Sequence, residues 1–119
     1  VWIESPINPT LRCVDIRRVS AICRAAGVRL VADNTFASPV NQAVLALGVD
    51  LSMQSATKYL NGHSDVTAGV LSGPRALLEP IGRLRRLLGS TLDPQAAYAL
   101  GRGLKTLPLR VAQHNANAL

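Results

Sequence analysis

Apolar positions along the chain fall into short runs separated by helical stripes, and this alternation predicts the architecture. Val1 to Glu4 opens as an apolar run and reads as a buried strand. Ser5-Pro6-Ile7-Asn8-Pro9 breaks it, because two prolines force an extended turn. Asp15 is a good N-cap, and Ile16, Val19, Ile22, Cys23 and Ala26 repeat at helical spacing until Gly27 closes the helix. Arg17, Arg18 and Arg24 fall off that stripe and are expected to face water. Val28 to Ala32 is the next strand, followed by Asp33-Asn34-Thr35. Strand, helix, strand makes a βαβ unit, so the two strands should run parallel and bring Asn8 and Asp33 to the same sheet edge.

The pattern continues in kind. Phe36 to Pro39 reads as a loop, and Gln42 to Leu47 as a short helix ended by Gly48. Val49 to Met53 alternates with period two, the mark of a strand. Val66 to Leu71 alternates weakly and reads as another. Ser72-Gly73-Pro74 then turns into a helix with Leu77, Leu78, Ile81, Leu84 and Leu88 on one face, weakened by Pro80 and Gly82 and ended by Gly89. Asp93-Pro94 starts a further helix, with Pro at its first position, running through Ala96 to Leu104. Lys105 to Pro108 is a joint, and Leu109 to Leu119 begins the last helix. The expected class is α/β: a mostly parallel sheet with helices on both faces.

The candidate chemistry sits where the third strand stops. Three successive strands end near Asn8, Asp33 and Ser55, and in open α/β sheets that rim is where ligands bind. Beyond the strand stands Ser55-Ala56-Thr57-Lys58, then the turn-rich Asn61-Gly62-His63-Ser64-Asp65. Two hydroxyls can donate to phosphate oxygens. A lysine amine that loses its proton can attack a carbonyl and form a Schiff base. A phosphorylated aldehyde would use both. Taken alone, such a tetrapeptide is far more often a solvated turn. His63 reads as support for its own loop, since one His and one Asp are too few for a metal.

The longer match decides. Asp50-Leu51, Ser55-Ala56-Thr57-Lys58-Tyr59-Leu60 and Gly62-His63-Ser64 closely resemble the lysine signature of the Cys/Met-metabolism family of pyridoxal-phosphate enzymes. The family includes cystathionine γ-synthase, cystathionine γ-lyase, methionine γ-lyase and the homoserine-ester sulfhydrylases. The resemblance implies that Lys58 carries pyridoxal 5'-phosphate covalently and that Ser55 and Thr57 hold its phosphate. The Glu-Ser-Pro-x-Asn-Pro turn also resembles the family's, and that resemblance implies that Asn8 contacts the ring oxygen, where the residues alone would equally allow an Asn that caps its own turn. The aspartate matching Asp33 pairs with the ring nitrogen, which keeps the ring an effective electron sink. Arg102-Gly103-Leu104-Lys105-Thr106-Leu107-Pro108-Leu109-Arg110 resembles the family's entry to its carboxyl-terminal domain. The arginine for the substrate carboxylate is expected downstream of residue 119, and the ring-stacking tyrosine upstream of residue 1. By resemblance, residues 1–107 are part of the cofactor-binding large domain of a fold like that of aspartate aminotransferase, and 108–119 begin the helix beyond it. The implied activity is β/γ-elimination or γ-replacement on sulfur or homoserine-derived amino acids. The complete protein is expected to be a homodimer or homotetramer.

Composition narrows the alternatives. A length of 119 residues and 48% hydrophobic residues fit one small folded domain. Val1 opens inside a strand-like run and Leu119 stops inside a helical pattern, so an internal fragment of a longer enzyme, inactive alone, is expected. Thirteen basic against seven acidic residues give a net charge of +6. The excess is dispersed and aromatics total 3%, which argues for a solvated surface over a nucleic-acid interface. Cys13 and Cys23 have no metal-ligand company, Cys23 lies on a helix's apolar face, and no signal peptide or membrane-length run occurs. These features point to the cytoplasm. Gly62-His63-Ser64 speaks against a cysteine desulfurase or aminotransferase of the same fold. An inactive relative would be expected to lose Lys58 or Asp33.

Overall fold

The computed structural model describes residues 1–118, so the expected helix end at Leu119 lies outside it. Four strands form one sheet in the order β1 (Trp2–Glu4), β2 (Val31–Asp33), β3 (Leu51–Ser55), β4 (Gly69–Ser72). The first three are parallel, and β4 is antiparallel to β3. α1 (Ile16–Ala25) makes the crossover between β1 and β2, as the βαβ pattern requires. Its N-cap is Asp15, whose carboxylate accepts from the Arg18 N–H at 3.0 Å.

One face of the sheet is closed by α1 and by a 3₁₀ turn over Val44–Leu47. Ile16, Cys23, Leu30, Ala32, Val44 and Val49 form the buried cluster there. A second cluster lies beyond the sheet's carboxyl rim. Ala56 and Leu60 pack there against Leu100 of α4 (Pro94–Leu104) and Leu107 and Val111 of α5 (Leu107–Asn117). α3 (Arg75–Leu88) lies across the other face of the sheet, where Leu78 and Ile81 line a cavity of about 630 Å³ with Trp2, Leu51 and Met53.

Several boundaries differ from the sequence pattern, each for a local reason. β2 begins at Val31, not Val28. Before it, the Asp50 carboxylate takes the Leu30 N–H at 2.8 Å and the Arg29 guanidinium at 2.9 Å, so side chains replace the ladder. β3 runs two residues later than expected, because Val49 turns into the core while Gln54 and Ser55 pair with Val70 and Gly69. Its buried side chains are Ser52 and Gln54, so the polar half of the alternation faces inward. The loop over Phe36–Pro39 is partly helical, with α2 spanning Ser38–Asn41. β4 starts only at Gly69, since the Ala68 N–H is taken by the Thr57 hydroxyl at 3.0 Å.

Candidate functional site

Parallel strands place their carboxyl ends side by side, and the register does so here. Glu4 pairs with Asp33 and Asp33 with Met53. Since side chains alternate along a strand, Glu4, Asp33, Met53 and Ser55 share one face. Glu4, Asp33 and Ser55 line a cavity of about 520 Å³ that Asn8, Thr57 and Lys58 also line. All five residues that the sequence singles out, Asn8, Asp33, Ser55, Thr57 and Lys58, therefore meet around one space. Its size lies within the range of small-molecule sites.

Asp33 is held from one side. Its Oδ1 accepts from the Thr35 backbone N–H at 3.0 Å and from the Thr35 hydroxyl at 2.6 Å. The same hydroxyl oxygen accepts the Ser55 N–H at 2.8 Å, so Thr35 ties the end of β2 to the end of β3. Asp33 Oδ2 keeps both lone pairs free of partners among the described residues. Beneath this link, the half-buried Gln42 amide donates to Oδ1 of buried Asn34 at 2.8 Å and to the Ser5 carbonyl at 2.9 Å. That amide pair fixes the loop after β2 to the turn that carries Asn8.

The hydroxyls differ in their freedom. Ser55 Oγ has no hydrogen-bond partner among the described residues. Thr57 Oγ1 accepts from the Ala68 N–H at 3.0 Å, and its own proton has only the Ala68 carbonyl at 3.4 Å, which the Thr57 N–H already occupies at 3.2 Å. The Ser55 hydroxyl thus keeps its donor proton for a ligand, while the Thr57 hydroxyl would have to turn from its long bond to Ala68 to donate to one.

Lys58 rides on a tight turn. Its N–H donates to the Ser55 carbonyl at 3.2 Å, the Asn61 N–H to Ala56 at 3.0 Å and the Gly62 N–H to Lys58 at 2.8 Å. The Lys58 side chain is exposed and makes no ion pair among the described residues. Ala56, Leu60 and Asn61 anchor the turn in the protein. The Asn61 amide donates to Asp65 at 2.8 Å, and Arg102 reaches the other Asp65 oxygen at 2.5 Å. Those two bonds, the amide's first, hold the Asp65 carboxyl below its ordinary pKa. His63 Nδ1 lies 2.6 Å from the Asn61 carbonyl, which can only accept, so Nδ1 carries the proton and His63 supports its own loop. Among the described residues no cluster of potential ligands could hold a metal ion.

Sequence reasoning missed Thr35, Gly103 and Arg110. Thr35 carried a faint signal, a hydroxyl two residues after an aspartate. Gly103 and Arg110 stand in the segment that resembles the family, but nothing local marked their contacts to the lysine turn, since Asn61, Tyr59 and Leu60 lie some 40 to 50 residues away in the chain.

A phosphorylated pyridine aldehyde asks for donors at its phosphate, an acceptor at its ring nitrogen and an amine at its carbonyl carbon. Ser55 offers an unspent hydroxyl proton and Thr57 a hydroxyl in only a long bond to Ala68, Asp33 an open Oδ2, and Lys58 an amine without an ion-pair partner. The residues fit such a group.

Comparison with known proteins extends the match to the whole chain. The family model described as Cys/Met metabolism PLP-dependent enzyme matches residues 1–119. Cystathionine gamma-synthase 1, chloroplastic, of Nicotiana tabacum is 55% identical over 118 residues, which is 99% of this chain and 22% of that protein. A cystathionine beta-lyase of Lactococcus lactis is 46% identical over 119 residues, 99% of this chain and 31% of that protein. The crystal structure of apo CalE6, a methionine gamma lyase from Micromonospora echinospora, superposes with a TM-score of 0.89 at 44% identity and covers 92% of this chain and 30% of that one. The chain therefore spans less than a third of the length of each of these relatives.

Proposed function

The chain belongs to the Cys/Met metabolism PLP-dependent enzyme family, and within it we propose that it is the lysine-bearing part of a trans-sulfuration enzyme. The complete protein would act on sulfur or homoserine-derived amino acids by β/γ-elimination or γ-replacement, as a cystathionine γ-synthase or γ-lyase does. Methionine γ-lyase and O-acylhomoserine sulfhydrylase are the competing activities. They differ from the first reading in pocket walls beyond this chain. Product analysis with cystathionine, methionine and O-acylhomoserine separates them.

One observation carries the reading: an amine without an ion-pair partner, two hydroxyls, that of Ser55 with an unspent proton, and a half-open carboxylate line one cavity. Pyridoxal phosphate, when bound, supplies an electron-poor ring that takes up the electron pair left on a substrate carbon. Lys58 would hold that group by its aldehyde carbon. Lys58 Nζ would also take a proton from one substrate carbon and return it to another. Asp33 Oδ2 would accept from the ring N–H and keep it protonated. Thr35 steadies the carboxylate in that task by holding Oδ1. Ser55 and Thr57 would donate to the phosphate, and the Asn8 amide to the ring oxygen.

Residues 1–107 are read as part of the cofactor-binding domain and 108–119 as the start of the helix leading out of it. A homodimer or homotetramer is the proposed assembly. A cytoplasmic setting is proposed from the free thiols of Cys13 and Cys23. Among the described residues no helix is long and apolar enough to cross a membrane. The decisive experiment is borohydride reduction of the full-length protein followed by peptide mapping. The label is expected on Lys58 and absent from Lys58→Ala. A covalent label in the alanine variant would refute the assignment.

A further inference from the structure

We propose that Arg110, on α5, is a positioning residue that sets the Lys58 amine in place by gripping the backbone immediately after it. The proposal rests on the reading of Lys58 as the cofactor's lysine.

Arg110 has five N–H donors, and four of them are aimed at named oxygens. Nη1 donates to the Tyr59 carbonyl at 2.8 Å. Nη2 donates to the Gly103 carbonyl at 2.8 Å and, at 3.4 Å, to that of Leu60. Nε donates to Thr106 Oγ1 at 3.1 Å. No carboxylate faces this cation among the described residues, where the ion pairs belong to Arg29, Arg83 and Arg102. Its charge is directed instead at backbone carbonyls.

The choice of carbonyls gives the grip its meaning. Within the lysine turn, the carbonyls of Ser55, Ala56 and Lys58 are satisfied locally. Those of Tyr59 and Leu60, the two residues after Lys58, turn outward and are the ones Arg110 takes. Gly62 leaves the seat open, since a methyl there would overlap the guanidinium. The Leu60 side chain is meanwhile buried with Leu100, Leu107 and Val111. Apolar packing therefore fixes the depth of the turn, and the guanidinium fixes its rotation. An ammonium on a flexible stem cannot satisfy four acceptors from one plane, so lysine is not an equivalent here.

The test uses the full-length protein freed of cofactor, with Arg110→Lys beside wild type and Arg83→Lys as a surface control. The first reading is the rate at which added pyridoxal phosphate is captured covalently, forming a C=N bond from Nζ to the aldehyde carbon with release of water. The second is the affinity for pyridoxine phosphate, which keeps ring and phosphate but has an alcohol in place of the aldehyde. The third is the melting temperature. Misplacing a reacting group by about 1 Å can cost on the order of 100-fold, so Arg110→Lys should slow capture by about 10- to 100-fold. Pyridoxine phosphate binding should weaken much less than capture, because Ser55 and Asp33 stand on the strands; Thr57 in the turn and Arg110 also line the cavity, so a small loss is expected. Unchanged capture in folded Arg110→Lys overturns the proposal. So does an equal loss of pyridoxine phosphate binding, which would make Arg110 a support of the whole cavity. Should Arg110→Lys fail to fold, Thr106→Val removes the Nε acceptor, together with the hydroxyl's own 3.4 Å bond to the Gly103 carbonyl, and is scored the same way. Peptide mapping of reduced wild type separates the two levels of failure. A link elsewhere than Lys58 overturns both readings, whereas a link at Lys58 with unchanged capture overturns the Arg110 role alone.

Discussion

Two glycines in one helix should respond to the same substitution with opposite signs. Gly101 and Gly103 both lie in α4. A methyl built on Gly101 meets nothing within 4 Å. There, Gly→Ala should gain only the backbone term, about 1 kcal/mol of stability. A methyl on Gly103 overlaps the Asn61 carbonyl oxygen and comes within 2.9 Å of Asn61 Cα and carbonyl carbon. Backbone cannot swing aside as a side chain can, so the helix must retreat from the lysine turn. Overpacking of this kind costs about 1–3 kcal/mol, and retreat also lengthens the Arg110 bond to the Gly103 carbonyl. After subtracting the propensity gain, Gly103→Ala should lose up to roughly 2 kcal/mol where Gly101→Ala gains. Thermal unfolding of the full-length apoprotein measures both. Equal shifts in the two variants, or a stabilised Gly103→Ala, would refute the close approach of α4 to Asn61.

Asp33→Asn should still bind the cofactor but turn over at least about 10-fold more slowly, because an amide cannot keep the ring nitrogen protonated; wild-type turnover would remove Asp33 from that role. Thr35→Val keeps the shape but strips the Ser55 N–H of its acceptor and Asp33 of one donor, so a loss of about 1–3 kcal/mol is expected in thermal unfolding, and no loss would sink the link between β2 and β3. The Asp65 carboxyl, held down first by the Asn61 amide and then by Arg102, should titrate by carbon NMR below the ordinary 3.9 or so. A depressed acid contributes stability above its unfolded pKa and loses it as pH falls through the folded value, so Arg102→Gln should move the midpoint partway back up. A midpoint that does not move on removal of Arg102 would refute the pairing.

The reacting groups were legible because each stands at a point where local pattern changes. Asn8 follows a proline-broken strand, Asp33 ends an apolar run, and Lys58 sits between a strand and a polar turn. The βαβ order then forces the strand ends to one rim, which is a statement about chain direction and needs no partner residue. Strand limits were less legible, since period two says that a strand exists but not which face is buried. In β3 the alternation is real, yet Ser52 and Gln54 point inward while Leu51 and Met53 line the cavity under α3. Only the position of the helices decides that, and the helices are placed by contacts far along the chain.

The same distinction divides the site into two rigid parts. Asn8, Asp33 and Ser55 are carried by the sheet and the core beneath α1, whereas Lys58 is carried by the cluster of Ala56, Leu60, Leu100, Leu107 and Val111. A ligand held at its nitrogen by one part and at its carbonyl carbon by the other reads the spacing between them. Three links set that spacing. β3 runs directly into the lysine turn, Thr57 bonds the strand after it at Ala68, and Asn41 of α2 exchanges two amide hydrogen bonds of 3.0 and 2.8 Å with Asn115 of α5. The first two act close to the amine and set its height. The third acts nearer the far end of α5, about one and a half turns beyond Arg110's grip, and limits how far that helix can pivot. A pivot of α5 would carry Arg110, and with it the carbonyls of Tyr59 and Leu60, away from the sheet rim. Geometry at the amine therefore depends on an exposed amide pair that touches neither cofactor nor substrate.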